Sequence, residues 1–437
     1  MSNAALAQIN DAPMSARQIV IVVLGILLFA LDGFDVMSIS FAAPGIAKEW
    51  GIDRAALGFV LAMELIGMSI GSVLIGNIAD RVGRRKAILG CLAVMGVGMG
   101  LAATVDDLIM LCIYRVITGI GIGGLLPAVT AVVPEFSNAK RRGLAVSLMS
   151  SGFPLGAVLG GMVVTQLLQV HSWHSVFVFG SAVTLAAIPV VYFLLPESIA
   201  FLQSKQAEDA LEQVNKTLVK IKLQPVSELP HIENPVEDRA KQGRFLDLFK
   251  PDQIRATICL ALAYVGQMLT FYFLMKWTPK IVVDMGYPAA QAGLVLVWAN
   301  VGGVLGAVFF GILSRFVSVR ALTMILLVFS SAMIIVFGRL EGDIAQMSFI
   351  AFVAGLVIIA AISGFYNLFT TQFPTELRAS GTGFSLGVGR SGAALSPIVA
   401  GFLFAAGGTL STVALLMAGG SILSLIAVFM LKDRELA

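Results

Sequence analysis

Charge is scarce in this chain. Asp, Glu, Lys and Arg make up 13% of its 437 residues, against about one quarter in a soluble domain. The formal net charge of +3 is too small to suggest a nucleic-acid partner, which needs a concentrated basic surface. Cysteine is rarer still: Cys91, Cys112 and Cys259. They fall singly in apolar runs, with an odd count and no metal-ligand spacing, so no disulfide framework is implied. They read as small buried hydrophobes. There is no histidine cluster, no nucleophile motif and no metal spacing, so an enzyme is disfavoured and no cofactor is expected. His171 and His174 fall in a polar link and read as ordinary loop residues. The opening stretch, Met1 to Arg17, is polar and lacks a cleavable signal pattern.

What fills the chain is apolar: 58% of residues are hydrophobic. They gather in twelve runs, 18–42, 55–79, 86–104, 107–132, 143–168, 173–195, 254–277, 291–314, 320–339, 345–370, 379–405 and 409–431. Crossing a bilayer takes about 20 such residues. The expected fold is an all-α membrane protein with twelve transmembrane helices. The polar interval 196–253 divides it into a first six-helix half, 18–195, and a second, 254–431. Segments 1–17 and 432–437 read as tails. Within the interval, Ser204–Lys222 carries Ala207, Ala210, Leu211, Val214, Leu218 and Ile221 at helical spacing, which predicts an amphipathic helix on the cytoplasmic face of the membrane.

Charge predicts orientation. Arg81, Arg84, Arg85 and Lys86 follow span two; Lys140, Arg141 and Arg142 follow span four; Arg315 and Arg320 flank the link after span eight. The links after spans three, five and eleven carry no Lys or Arg. By the positive-inside rule, both termini and the central interval are expected in the cytoplasm.

The chain also repeats. A shift of 240 residues brings Pro134 to Pro374, Gly143 to Gly383, Ser151 to Ser391, Gly152 to Gly392 and Gly161 to Gly401. Two pseudo-symmetric halves of this kind predict a binding site between them near the midplane.

The carboxylates of span one are the most informative residues. Asp32 and Asp35 sit inside an apolar run, where a charge costs about 2.5–3.5 kcal/mol on insertion scales. Spaced i, i+3, they share one helical face. That face is expected to line a transport path and to carry a proton. Arg115 in span four is as deeply placed and is a natural partner for either carboxylate. Glu64 in span two is a second-tier candidate for the same role.

In span eleven, Arg390 stands in the glycine-rich run Gly387-Val-Gly389-Arg390-Ser391-Gly392. About 11 residues at 1.5 Å each from Ala379 put it near mid-depth. A guanidinium there suits a substrate carboxylate, which it grips with two parallel hydrogen bonds. Tyr264, Gln267 and Tyr272 in span seven, Trp298 and Asn300 in span eight, and Phe365, Tyr366 and Asn367 in span ten supply aromatics and amides. Together they would wall a site for a flat ring carrying hydroxyls. Lys276, beside Trp277 and Pro279, reads as an interfacial anchor that snorkels to the outer surface.

Several motifs resemble a known family. Gly76-Asn-Ile-Ala-Asp80-Arg81-Val-Gly83-Arg84-Arg85-Lys86 resembles the signature between the second and third helices of the major facilitator superfamily. Arg115-Val-Ile-Thr-Gly119-Ile-Gly121 resembles its span-four signature. The resemblance implies that Gly76, Asp80, Arg81 and Arg84 form a gating latch and that Arg115 is tied to proton coupling. The counterpart Gly311-Ile-Leu-Ser-Arg315 lacks the acid. Gly152-Phe-Pro154 departs from the antiporter pattern and argues against an antiporter. Leu195-Pro196-Glu197-Ser198 ends the first half as in many sugar and aromatic-acid porters; it marks a boundary and is given no substrate contact.

With Asp32-Gly33-Phe34-Asp35, the chain is similar to the aromatic acid/proton symporters of the bacterial inner membrane. That likeness implies uptake of an acid such as a hydroxybenzoate together with protons, by alternating access and as a monomer. A sugar, polyol or other organic-anion porter, and a transporter-like ligand sensor, stay open as alternatives.

Overall fold

The computed structural model describes residues 4–205, 209–229, 245–374 and 377–431. The expected tail 432–437 and the stretch 230–244 of the central interval lie outside them. Among the described residues there are helices and no strands. Inside a bilayer a helix satisfies every backbone donor and acceptor within one segment.

The chain opens with α1 (Ala4–Asp11) and then spans the membrane with α2 (Ala16–Trp50), α3 (Arg54–Val82), α4 (Arg84–Ala102), α5 (Leu108–Glu135), α6 (Arg142–Val170) and α7 (His174–Leu194). The interval holds α8 (Ile199–Lys205), α9 (Ala210–Lys220) and a 3-10 turn at Phe245–Phe249. Six more spans follow: α10 (Ile254–Asp284), α11 (Ala289–Leu313), α12 (Val319–Phe337), α13 (Ile344–Gln372), α14 (Arg378–Ala405) and α15 (Leu410–Phe429). Twelve of these helices are long and apolar enough to cross a membrane. An even number of crossings leaves both chain ends on one side, the termini side; the other is the far side.

Two spans outrun their apolar runs. α2 continues through Pro44 to Trp50, and α10 continues through Pro279 to Asp284. Proline is tolerated in membrane helices because neighbouring groups re-satisfy the freed carbonyl. The amphipathic helix of the interval is α9, which buries Ala210, Val214 and Leu218 on one face. α1 falls in a segment read from sequence as a tail. Its end is tied to the α5–α6 link: Ala139 N–H donates to Asn10 O at 3.1 Å, and Asn138 Nδ2 to Ala12 O at 3.1 Å.

The chain forms two compact units. One comprises Met1–Val36, Gly67–Gly156 and Phe177–Pro235; the other comprises Met37–Ile66, Ala157–Val176 and Val236–Ala437. The boundaries cut α2, α3 and α6 part-way and α7 after its first residues, so the far-side stretches of these first-half helices cluster with the second half.

Each unit repeats one crossing. In the first, a Cβ at Gly152 of α6 would collide with the backbone oxygen of Ile26 in α2. In the second, a Cβ at Gly392 of α14 would collide with the backbone oxygen of Val265 in α10. The 240-residue repeat seen in the sequence thus recurs as backbone contact between equivalent helices.

Candidate functional site

In the first unit, Asp32, Asp35 and Arg115 are all fully buried. Arg115 Nη2 donates to the backbone oxygen of Asp35 at 3.2 Å, and its guanidinium lies 5.2 Å from the ring centre of Phe177. Thr184 Oγ1 donates to Asp35 Oδ2 at 3.5 Å. The structure therefore joins α2, α5 and α7 around the span-one carboxylates. On the same helix, a Cβ at Gly33 would overlap the Phe153 carbonyl oxygen of α6; absence of a side chain there lets the two backbones approach closely. Thr184 and Phe177 were not found from the sequence, because a threonine and a phenylalanine in an apolar span carry no distinguishing pattern.

The second unit holds an aromatic cluster. Tyr264 packs edge-on to Phe365 at 5.7 Å and to Phe369 at 5.6 Å, and its hydroxyl lies 3.4 Å from that of Tyr366. A Cβ at Gly389 would strike the Tyr264 ring, so the residue before Arg390 is the contact point of α14 on α10. Tyr366, Asn367 and Thr370 are exposed along one face of α13. Asn367 Nδ2 donates to Ser363 O at 2.9 Å and Thr370 Oγ1 to Asn367 O at 2.8 Å. A Cβ at Gly383 or Gly387 would meet nothing, so the exposed stripe of α14 below Arg390 borders open space. Asn300 is buried and donates to Leu296 O at 2.9 Å.

Three readings change. Lys276 is not a snorkelling anchor: it is fully buried and lies 3.5 Å from Glu64 Oε2, itself fully buried. The cause is the length of α10. With the helix ending at Asp284, Lys276 stands eight residues, or about 12 Å, inside its end. Trp298 does not join the wall. It is 47% exposed and belongs to a stripe with Leu294, Leu305, Phe309 and Ile312, all exposed on one face of α11. That face suits lipid. Gln267 is committed to the bundle interior, accepting from Ser421 Oγ at 2.8 Å and donating towards Ser330 Oγ and Ile358 O at 3.4 Å. Such bonds join membrane helices to one another.

Of the expected latch, Gly76 and the side chains of Asp80 and Arg81 lie outside what is described. Arg84 is described. Its guanidinium pairs with Glu135 and donates to Ser198 Oγ at 3.0 Å. The backbone N–H groups of Arg84 and Arg85 donate to Glu197 Oε1 at 2.8 and 3.1 Å. Glu197 so caps the start of α4, where unpaired N–H groups favour a negative charge. The Pro196-Glu197-Ser198 run is more than a boundary mark: it ties the end of α7 to α4 and α5.

Comparison with known proteins agrees with this architecture. Residues 25–337 match the family model described as Major Facilitator Superfamily. The chain is 33% identical over 392 residues to the 4-hydroxybenzoate transporter PcaK of Acinetobacter baylyi, covering 89% of this chain and 85% of the relative. It is 30% identical over 402 residues to a gallate transporter of Pseudomonas putida, covering 91% and 88%. Among solved structures, the inward-open xylose transporter XylE of E. coli matches with a TM-score of 0.71 at 19% identity, covering 94% of this chain and 95% of that one; this likeness shows the fold. The chain belongs to the major facilitator superfamily, within its aromatic acid transporters, and is a multi-pass membrane transporter rather than an enzyme.

Proposed function

We propose that this protein takes up an aromatic carboxylic acid, of the hydroxybenzoate class, together with protons across the bacterial inner membrane. Both termini are cytoplasmic in this reading, as the basic links after the even-numbered spans favour. The observation that carries it is the cluster of Tyr264, Phe365 and Tyr366, on whose Tyr264 ring the residue before Arg390 packs. Arg390 grips the carboxylate. Tyr264, Tyr272 and Phe365 enclose the ring, and Tyr366, Asn300 and Asn367 offer polar groups to its hydroxyls. Relatives whose names specify 4-hydroxybenzoate and gallate support an acid of this size and polarity.

Asp32 or Asp35 carries the proton. Neutralising a buried carboxylate lowers the cost of closing its surroundings to water. Arg115, held on the Asp35 backbone, favours release of the proton afterwards. Arg84, with Gly76, Asp80 and Arg81, latches the termini side in alternation with the far side. Every residue in this scheme comes from one chain, so a monomer suffices.

The test is uptake of radiolabelled 4-hydroxybenzoate into proteoliposomes under an imposed inward proton gradient. Accumulation should collapse with a protonophore and in Asp32→Asn or Asp35→Asn. Arg390→Ala should weaken binding by about 10- to 150-fold, the range for a hydrogen bond to a charged group. Uptake that ignores the gradient, with both Asp variants normal, would sink the coupling assignment.

A further inference from the structure

Two ion pairs join α3 to α10, one from each six-span half. At the far-side ends, Arg54 Nη2 meets Asp284 Oδ2 at 2.9 Å. Deeper, Lys276 Nζ meets Glu64 Oε2 at 3.5 Å. The pairs are spaced by ten residues on α3 and eight on α10, about 15 and 12 Å. Their polarity alternates: α3 presents a cation and then an anion, and α10 answers with an anion and then a cation. Asp284 also pairs with Lys280 of its own helix, one turn from Lys276, so the α10 side of the pairs is an anion followed by two cations.

Between the pairs, α14 packs against both helices. A Cβ at Gly58 of α3 would collide with the backbone oxygen of Pro397 in α14. Trp277 Nε1 donates to that same oxygen at 3.3 Å. Phe59 packs edge-on to Phe402 at 5.7 Å, and Arg54 lies over the Phe404 ring at 5.1 Å.

We propose that Arg54, Glu64, Lys276 and Asp284 form a charge clamp that holds the far side shut, with Glu64–Lys276 setting the balance between far-side-closed and far-side-open states. Stability alone does not call for charges here, because apolar residues in place of a buried ion pair are often as stable or more so. An ion pair differs in having two comfortable states. Closed, the partners satisfy each other; parted, each regains water. An apolar contact would resist parting by its full exposed area. The clamp rests on the transport reading only in that the far side must open to admit cargo.

The experiment is labelling of Ala62→Cys, buried one turn beyond Gly58, by a membrane-impermeant maleimide applied to the far side. The full-length chain is used, with Cys91, Cys112 and Cys259 replaced by alanine. The parent should label slowly. Glu64→Gln or Lys276→Met should raise the rate roughly tenfold, the scale of a typical coupling between states. The double variant Glu64→Lys with Lys276→Glu should restore protection. Arg54→Gln, which breaks the more exposed pair, should raise it only about twofold. Labelling of folded Lys276→Met at the parent rate, or of the swapped pair at the rate of the single variants, overturns the clamp. If Lys276→Met does not fold, the swapped pair decides alone. The labelling needs no substrate. Failure of 4-hydroxybenzoate uptake beside a responsive label therefore rejects the substrate reading, and normal uptake beside an indifferent label rejects the clamp.

Discussion

The two units each bury charge at membrane depth, and they do so differently. In the first, the Arg115 guanidinium is seated on a backbone oxygen and over the Phe177 ring, while Thr184 reaches the Asp35 carboxylate. In the second, Glu64 and Lys276 address each other directly. Arg115 is bonded to the backbone of Asp35 inside one six-span half, whereas Glu64 and Lys276 come from different halves. In the transport reading proposed above, the first site exchanges a proton during each cycle and the second exchanges its partner. Depth alone does not say what a buried acid does.

The largest separation between the sites should come from removing one charge in each. Asp35→Asn is expected to abolish gradient-driven accumulation while leaving exchange of internal for external acid intact. Lys276→Met is expected to keep the dependence on the proton gradient while lowering net uptake. Removing one partner of a buried pair costs about 3–5 kcal/mol, so its thermal unfolding should also move downwards. Parallel uptake and exchange measurements on both variants check this; loss of gradient dependence in Lys276→Met would erase the distinction.

A smaller effect sharpens the contrast from the first site alone. Gly33→Ala pushes a methyl group into the Phe153 carbonyl of α6. It should cost about 1–3 kcal/mol, as overpacking does, and should impair coupling while leaving Ala62→Cys labelling unmoved. The smallest effect is a control outside both sites. Trp298→Ala, on the exposed stripe of α11, should leave uptake within about twofold of the parent, as surface substitutions away from special features do.

Much of this was legible in the chain itself, for reasons that differ by residue. Asp32, Asp35 and Arg115 announce themselves because a charge in an apolar run is costly wherever its partner lies. The twelve spans follow from hydropathy, and the repeat follows from glycines and prolines that reappear after 240 residues. The Glu64–Lys276 pairing was not legible. Its members are 212 residues apart in sequence, and Pro279 suggested a helix end that the structure places five residues later at Asp284. Trp298 was misread for a different reason. Considered singly it is an aromatic in a span; considered with Leu294, Leu305, Phe309 and Ile312 it belongs to one outward stripe, a pattern present in the sequence and overlooked. Gln267 shows a third limit, since an amide in a span serves helix association or a ligand equally well until its neighbours are known.

Glu197 reaches back from the segment after α7 to cap the start of α4, while Ser198 meets both Arg84 and Glu135. Three spans are thereby fastened by the first residues to emerge after the sixth. During synthesis on the ribosome, this fastening becomes available only when the sixth span has been delivered, and before any of the seventh exists.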